Sequence, residues 1–166
     1  MNNQIQFFNI TNLFRRRPDA VAIMSGSRNY PSIRGTVRFY GTPAGVIVRA
    51  DVNGLPVGEG KCDSPVFGFH IHSGMACRGN DADPFAQTMG HFNPNDCIHP
   101  YHAGDLPPLF GADGRAFSVF LTNRFKVRDV IGRSVVIHAM PDDFHSQPAG
   151  NSGEKIACGI IAGQRR

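Results

Sequence analysis

Two histidines separated by one residue, His70 and His72, are the first histidines in the sequence and could together bind a metal. They lie within residues 66–72, where large apolar side chains occupy every second position. Because side chains alternate between the two faces of a β-strand, the apolar residues would face the core and both imidazoles the outer face. Such a pair offers two nitrogens to one metal ion. Taken alone the signal is weak, since pairs of surface histidines are common.

Further side chains that can ligate a metal follow this pair. Residues 73–109 form a long stretch rich in Gly, Pro, Asp and Asn that carries three histidines and Asp105. A connection of this length in a compact domain is usually functional or disordered, and the ligand types favour function. A later strand over residues 134–139 places His138 on the outer face, as in the first strand. The candidate ligands are His70, His72, His91, His99, His102, Asp105 and His138.

The elements that must position these side chains are mainly strands. The 19 glycines, 12 prolines and 13 phenylalanines, with no tryptophan, are typical of short strands joined by many turns. The β-rich runs are residues 20–24, 33–40, 46–52, 66–72, 115–122, 134–139 and 155–161. About eight short strands and two long loops, residues 73–109 and 140–154, predict an all-β, closed or nearly closed antiparallel barrel, because closure removes exposed edges.

Residues 2–17 precede the barrel and space their apolar side chains in a loosely helical pattern. We interpret them as a short amphipathic helix that packs on the domain or on a second subunit. Binding to a membrane surface through the three consecutive arginines at 15–17 is the alternative. We therefore divide the chain into a helical extension over residues 1–18 and a barrel over residues 19–166.

Charge and hydropathy narrow the classes of function. A net charge of +4 and a pI near 9.1 favour small anionic ligands, but lysine and arginine are not clustered as in nucleic-acid-binding proteins. No segment approaches the roughly 18 consecutive apolar residues of a membrane span, and the N-terminal stretch lacks the pattern of a secretory signal. We therefore expect a cytoplasmic protein that binds neither nucleic acid nor membrane. Its four cysteines would usually be reduced.

Five ordered motifs resemble those of the copper/zinc superoxide dismutases. They are Gly68-Phe69-His70-Ile71-His72, Gly90-His91-Phe92-Asn93-Pro94, His102-Ala103-Gly104-Asp105-Leu106, Val136-Ile137-His138 and the run from Gly150 to Gly159. The likeness covers residues 20–161. It implies an eight-stranded Greek-key barrel with a copper site and a zinc site on its outer wall. It also implies an enzyme that disproportionates superoxide anion to dioxygen and hydrogen peroxide by cycling copper between Cu(II) and Cu(I).

The resemblance further implies roles for individual residues. The implied copper ligands are His70, His72, His91 and His138, and the implied zinc ligands are His91, His99, His102 and Asp105. As the shared ligand, His91 would pass a proton to the departing peroxide, while Lys155 stands where the family has an arginine at the mouth of the copper channel. Asp142 would hydrogen-bond one copper ligand and one zinc ligand, and Cys77 would form a disulfide with Cys158. Imidazole suits both metals, and three nitrogens with one carboxylate make an ordinary tetrahedral zinc shell.

The sequence departs from the family pattern at several positions. Only two residues separate His99 from His102, so the zinc-binding loop is shorter than usual. Lysine replaces arginine at position 155. Cys97 could compete for the disulfide or for zinc, whereas Cys62 is expected to be an inert thiol.

Two other functions stay open on the sequence. A copper-storage or copper-delivery protein could use the same barrel, although four copper ligands argue against a loss of activity. A mononuclear zinc hydrolase would need only three histidines and an open site, but no general base is evident. A homodimer is consistent with the sequence, which does not fix the oligomeric state.

Overall fold

The computed structural model of the protein describes residues 10–60 and 65–164. The described strands are β1 (Ala20–Gly26), β2 (Arg34–Thr42), β3 (Gly45–Asn53), β4 (Val66–Phe67), β5 (Phe69–His72), β6 (Leu109–Phe110), β7 (Arg115–Thr122), β8 (Ser134–His138) and β9 (Lys155–Gly163). Two short α-helices accompany them, α1 (Ile10–Arg15) before β1 and α2 (Val127–Val130) between β7 and β8. A 3₁₀ turn, Ala86–Thr88, lies in the long loop after β5.

The strands form one curled antiparallel sheet and a short ribbon. The sheet has the order β5-β8-β9-β1-β2-β3-β7, and the ribbon pairs β4 with β6. Only Gly68 separates β4 from β5, and β6 lies beside β7, so the ribbon spans the gap between the two edges of the sheet. The all-β antiparallel barrel with a short N-terminal helix is therefore confirmed. The nine described strands exceed the seven predicted β-rich runs by two, because residues 66–72 are broken at Gly68 and because β6 was not among those runs.

The alternating pattern of β2 sets the inner face of the sheet. Val37 and Phe39 are fully buried in the main core, as strand alternation requires. Tyr40 points to the other face but is also buried, because Leu13 of α1 packs on it together with Ile47 of β3. The predicted helix therefore lies on the barrel over Ile10–Arg15, while residues 2–9 of that prediction fall outside the described part of the chain.

The outer face of β5 and β8 is buried. His70, His72 and His138, together with Val136, are at most 4% exposed, although the pattern predicts an outward orientation for all four. The reason is that the loops over residues 73–108 and 139–154 fold across this face, where Phe85 packs against Val136. The outer face of β5 and β8 is thus buried between the sheet and the two loops.

The connection between β7 and β8 contains the single turn of α2. Val130 of this turn is fully buried and packs into the main core. Among the described helices, none has the length and apolar character that crossing a membrane requires.

Candidate metal centre

Backbone pairing brings the first four histidines together. His70 and His72 lie on β5, which pairs with β8 so that His70 is opposite Val136, and His138 ends β8. A backbone bridge between His72 and His91 adds the fourth ring from the long loop. Each of the four side chains offers one ligand atom within 4.8 Å of all the others.

In a second group, four ligand atoms also lie within 4.8 Å of one another. Its members are His91, His99, His102 and Asp105. A backbone bridge from Asp105 to His70 fixes this loop against β5. Asp105 Oδ1 is 2.7 Å from His91 Nδ1, and its Oδ2 is 3.1 Å from His99 Nδ1. His91 therefore belongs to both groups.

The spacing of the ring nitrogens and their lack of hydrogen-bond partners are typical of metal ligands. Four of them are buried and have no hydrogen-bond partner among the described residues, namely His70 Nδ1, His91 Nε2, His99 Nδ1 and His102 Nδ1. His72 Nε2 lies 3.2 Å from His138 Nε2. A four-coordinate ion with bonds of about 2.0–2.1 Å separates neighbouring ligand atoms by about 2.8 Å in square-planar geometry and about 3.3 Å in tetrahedral geometry. The residues present thus fit a copper and a zinc ion in type, spacing and unmet bonding capacity.

Two copper-side ring nitrogens are held by hydrogen bonds that set the orientation of their rings. His72 Nδ1 donates to the Met89 carbonyl at 2.7 Å, and His138 Nδ1 donates to the Gly153 carbonyl at 3.3 Å. Each of these bonds leaves Nε2 of the same ring as the free ligand atom. Partners of this kind fix the tautomer of a metal-binding histidine.

Asp142 joins the two groups. Its Oδ2 accepts from His70 Nε2 at 2.7 Å, and its Oδ1 accepts from His99 Nε2 at 2.9 Å. These are the two contacts that the family resemblance implies. Gly150 makes them feasible, since a Cβ at this positive φ of 66° would lie 2.1 Å from Asp142 Oδ1. Gly68 has a similar role, because a Cβ there would approach the Ser152 side chain to 2.8 Å.

Burial keeps three of the copper-side imidazoles, those of His70, His72 and His138, neutral. Loss of hydration lowers the pKa of His70 and of His72, and it lowers the pKa of His138 to about 3. A neutral imidazole retains the lone pair that binds a metal, so these rings are ready to act as ligands at neutral pH.

The two carboxylates stay ionised in the same interior. Burial alone would raise the pKa of Asp105, but the hydrogen bond from His91 and the nearby rings lower it below its usual range. Burial also opposes ionisation of Asp142, whereas hydrogen bonds from His70, the Phe144 backbone N–H and His99 hold its pKa well below the usual range. The centre therefore has anionic groups to offset the charge of bound cations.

Two polar side chains that sequence reasoning missed hold the zinc-side loop. Arg124 Nη1 donates to the carbonyl oxygens of Pro100 at 2.9 Å and of His102 and Asp105 at 3.2 Å each. The side-chain amide of Gln147 pairs with the backbone of His99, accepting from its N–H at 3.0 Å and donating to its carbonyl at 2.8 Å. Neither contact leaves a local signal in the sequence.

Lys155, predicted at the mouth of the copper site, begins β9 opposite His138 in the strand register. Its Nζ forms an ion pair with Asp83 Oδ2 at 2.6 Å. The motifs of the sequence do not predict this partner.

The cysteines separate into a bonded pair and a free thiol. Cys77 and Cys158 form the predicted disulfide, which links the loop after β5 to β9. Cys97 is free and half-buried, with its backbone held by the side chain of Asn93. It belongs to neither of the ligand groups described above. Cys62 lies outside the described residues.

Comparisons with known proteins agree with this geometry. The profile of the family described as copper/zinc superoxide dismutase matches residues 33–161. A copper-zinc superoxide dismutase of Deinococcus radiodurans is 39% identical over 147 residues, covering 78% of this chain and 77% of the relative. The human copper chaperone for superoxide dismutase is 35% identical over 157 residues, covering 86% of this chain and 52% of the chaperone.

A solved structure shows the same architecture. The Cu/Zn superoxide dismutase from Brucella abortus superposes with a TM-score of 0.71 at 25% identity, covering 85% of this chain and 98% of that one. The profile spans most of the barrel, and the Deinococcus relative matches over more than two thirds of both chains. With its copper- and zinc-compatible histidine groups, the chain belongs to the copper/zinc superoxide dismutase family.

Proposed function

We propose that the protein catalyses the disproportionation of superoxide, in which two superoxide anions and two protons give dioxygen and hydrogen peroxide. The observation that carries the proposal is a single buried histidine, His91, shared by two groups of four ligands. The copper ligands would be His70, His72, His91 and His138, and the zinc ligands His91, His99, His102 and Asp105.

The shared ligand favours a dismutase over the alternatives. A mononuclear zinc hydrolase needs one group of ligands with an open position, and it has no use for a second group of four histidines. A copper-delivery protein needs a site that releases its ion readily, whereas these rings are fixed by hydrogen bonds to Asp142 and to backbone carbonyls. The similarity to copper chaperones makes delivery the second candidate, and the experiment below separates the two.

The chain supplies binding groups and a proton carrier. Copper bound by the first group would accept an electron from one superoxide and give it to the next. His91 Nδ1 faces the zinc-side carboxylate, 2.7 Å from Asp105 Oδ1, so Nε2 is the atom that can take up a proton and release it to the peroxide. Asp142 fixes His70 and His99 relative to each other, which sets the relative position of the two ligand groups. The positive charge of Lys155 lies beside His138 and would attract an anion.

The test combines metal content with activity. Protein loaded with both metals should contain about one copper and one zinc per chain and should accelerate the decay of superoxide. His138→Ala should lose copper and turnover, because one of four rings is missing from its ligand group. His145→Ala is the matched control, since His145 is an exposed histidine of the neighbouring loop. Full activity in His138→Ala would refute the assignment, and an inactive parent whose copper passes readily to a competing chelator would favour delivery.

Three predictions accompany this proposal. Division of the chain at residue 18 predicts that a protein beginning at residue 19 still folds and binds both metals. A homodimer is tested by sedimentation equilibrium. The cytoplasmic location is tested by fractionation of cells that make the protein from its own gene.

A further inference from the structure

Lys155 is tied to a carboxylate. Its Nζ donates to Asp83 Oδ2 at 2.6 Å and contacts the Phe85 carbonyl oxygen at 3.4 Å. The lysine side chain is only 16% exposed, so its ammonium is held in place rather than moving through solvent. A cation that could attract anions is therefore already paired with an anion of the protein.

Asp83 is itself fixed by its loop. Its Oδ1 accepts from the backbone N–H of Phe85 at 2.9 Å, and the side chain of Asn80 accepts from the Asp83 N–H at 2.9 Å. The disulfide from Cys77 and the packing of Phe85 anchor the same loop to the barrel. Surface ion pairs are usually weak because two free side chains must be ordered. Here the surrounding structure has already ordered the carboxylate.

The pair lies next to the copper-side ligands. A cavity of about 230 Å³ is lined by residues 82–84 and 153–155, which include both members of the pair. One wall of this cavity is Gly153, whose carbonyl oxygen accepts from His138 Nδ1 at 3.3 Å. Lys155 is also opposite His138 in the strand register. An anion that approaches His138 from this side passes both charges.

Pairing changes the range of the lysine's field. A unit charge about 10 Å away alters the local concentration of a monoanion about twofold in water, and up to about fivefold where the protein lowers the effective dielectric constant. Two opposite charges 2.6 Å apart act at that distance as a dipole, whose electrostatic potential is about a quarter of that of the free charge or less. Most of the long-range attraction of Lys155 is thus cancelled.

We propose that Asp83 limits the attraction of small anions to the copper site by cancelling the long-range field of Lys155. The inference rests on the proposed function, which makes superoxide the anion. Asp83 acts through Lys155 and does not touch the substrate. Its removal should therefore raise the association rate of superoxide and make that rate more dependent on salt.

The experiment compares Asp83→Asn with a control of equal charge change in the same loop. Asp81→Asn also removes one negative charge, but Asp81 is 88% exposed and pairs with Arg28 at 2.7 Å, away from the lysine. In the metal-loaded proteins at low ionic strength, Asp83→Asn should raise kcat/KM about two- to fivefold, and the gain should shrink as salt is added. Asp81→Asn should give a smaller gain, because both side chains of the Asp81–Arg28 pair are highly exposed and solvent already screens their charges. Asp83→Glu, which keeps the charge, should match the parent.

Binding of azide, a monoanion that binds copper(II), gives a readout without turnover. Azide should bind Asp83→Asn about two- to fivefold more tightly than the parent at low salt. If Asp83→Asn folds poorly, Asp83→Ser takes its place, because serine keeps an acceptor for the Phe85 N–H. Asp83→Ser should show the same increase in azide affinity. Equal values for Asp83→Asn and Asp81→Asn, or lower values in Asp83→Asn, would overturn the inference. If the parent binds copper but does not consume superoxide, the proposed function fails, and the azide comparison still decides the role of Asp83.

Discussion

Loss of the Cys77–Cys158 disulfide should destabilise the protein more than any other single change outside the core. The bond joins residues separated by 81 positions and so closes a very large loop. Cross-linking a loop of this size restricts the unfolded chain, and the chain-entropy relation gives about 4.5 kcal/mol of stabilisation. For a domain of this size that value corresponds to a fall in Tm of roughly 9–18 °C.

The variant Cys77→Ser is the suitable perturbation, because Cys77 is only partly buried whereas Cys158 is 2% exposed. Replacement at position 77 leaves the core packing of Cys158 in place. Thermal and urea unfolding should be measured on the metal-free proteins, so that metal release does not add to the transition. Parent protein treated with a reductant should unfold at the same temperature as Cys77→Ser.

Cys97→Ser is the matched control, since Cys97 is a half-buried free thiol in the same long loop. Cys97→Ser should have the same Tm and the same urea midpoint as the parent. Reductant should lower both values as much in Cys97→Ser as in the parent. A loss of less than about 1 kcal/mol in both Cys77→Ser and the reduced parent would refute the reasoning. That result would mean that the loop after β5 is already restricted in the unfolded chain, or that other contacts hold it without the bond.

Two further changes test how the loops hold the metal ligands. Arg124→Ala should weaken zinc binding about 10- to 100-fold, because three loop carbonyls lose their donor. Competition with a chelator measures the zinc affinity. Copper content should not change in this variant, and the Arg128→Ala control should keep the zinc affinity of the parent. Gly150→Ala should lower both zinc and copper retention, because its Cβ would lie 2.1 Å from Asp142 Oδ1. In the Gly132→Ala control the φ of 85° is also positive but no atom lies within 4 Å, so only the backbone cost of about 1–2 kcal/mol is expected. Equal metal retention in the two glycine variants would contradict the steric argument.

The strands and most candidate ligands could be predicted because their signals are local. Alternation in residues 66–72 and 134–139 places the histidines of β5 and β8 on one face, and the structure has both strands there. The extent of β7, Arg115–Thr122, is the predicted one. The family resemblance supplied the order of the loop ligands, and the structure brings those side chains together.

Long-range contacts could not be predicted in this way. Asp83 and Lys155 are 72 positions apart, and neither residue type nor spacing marks them as partners. The same holds for Gln147 and His99. The burial of the strands' outer face was also missed, because alternation reports which side chains share a face and not what covers that face. Pairs of this kind depend on how two irregular loops fold across the barrel.

The shortened segment between His99 and His102 shows why those external contacts matter. A metal site needs its ligands held closely in place, and an irregular loop does not provide this by itself. Within this segment, Arg124 binds the carbonyls from outside, and Gln147 binds the backbone of His99 from the other loop. The zinc-side loop is therefore ordered by the connection after β7 and by the loop before β9. Substitution of Arg124 or Gln147 should therefore weaken zinc binding before it lowers the stability of the barrel.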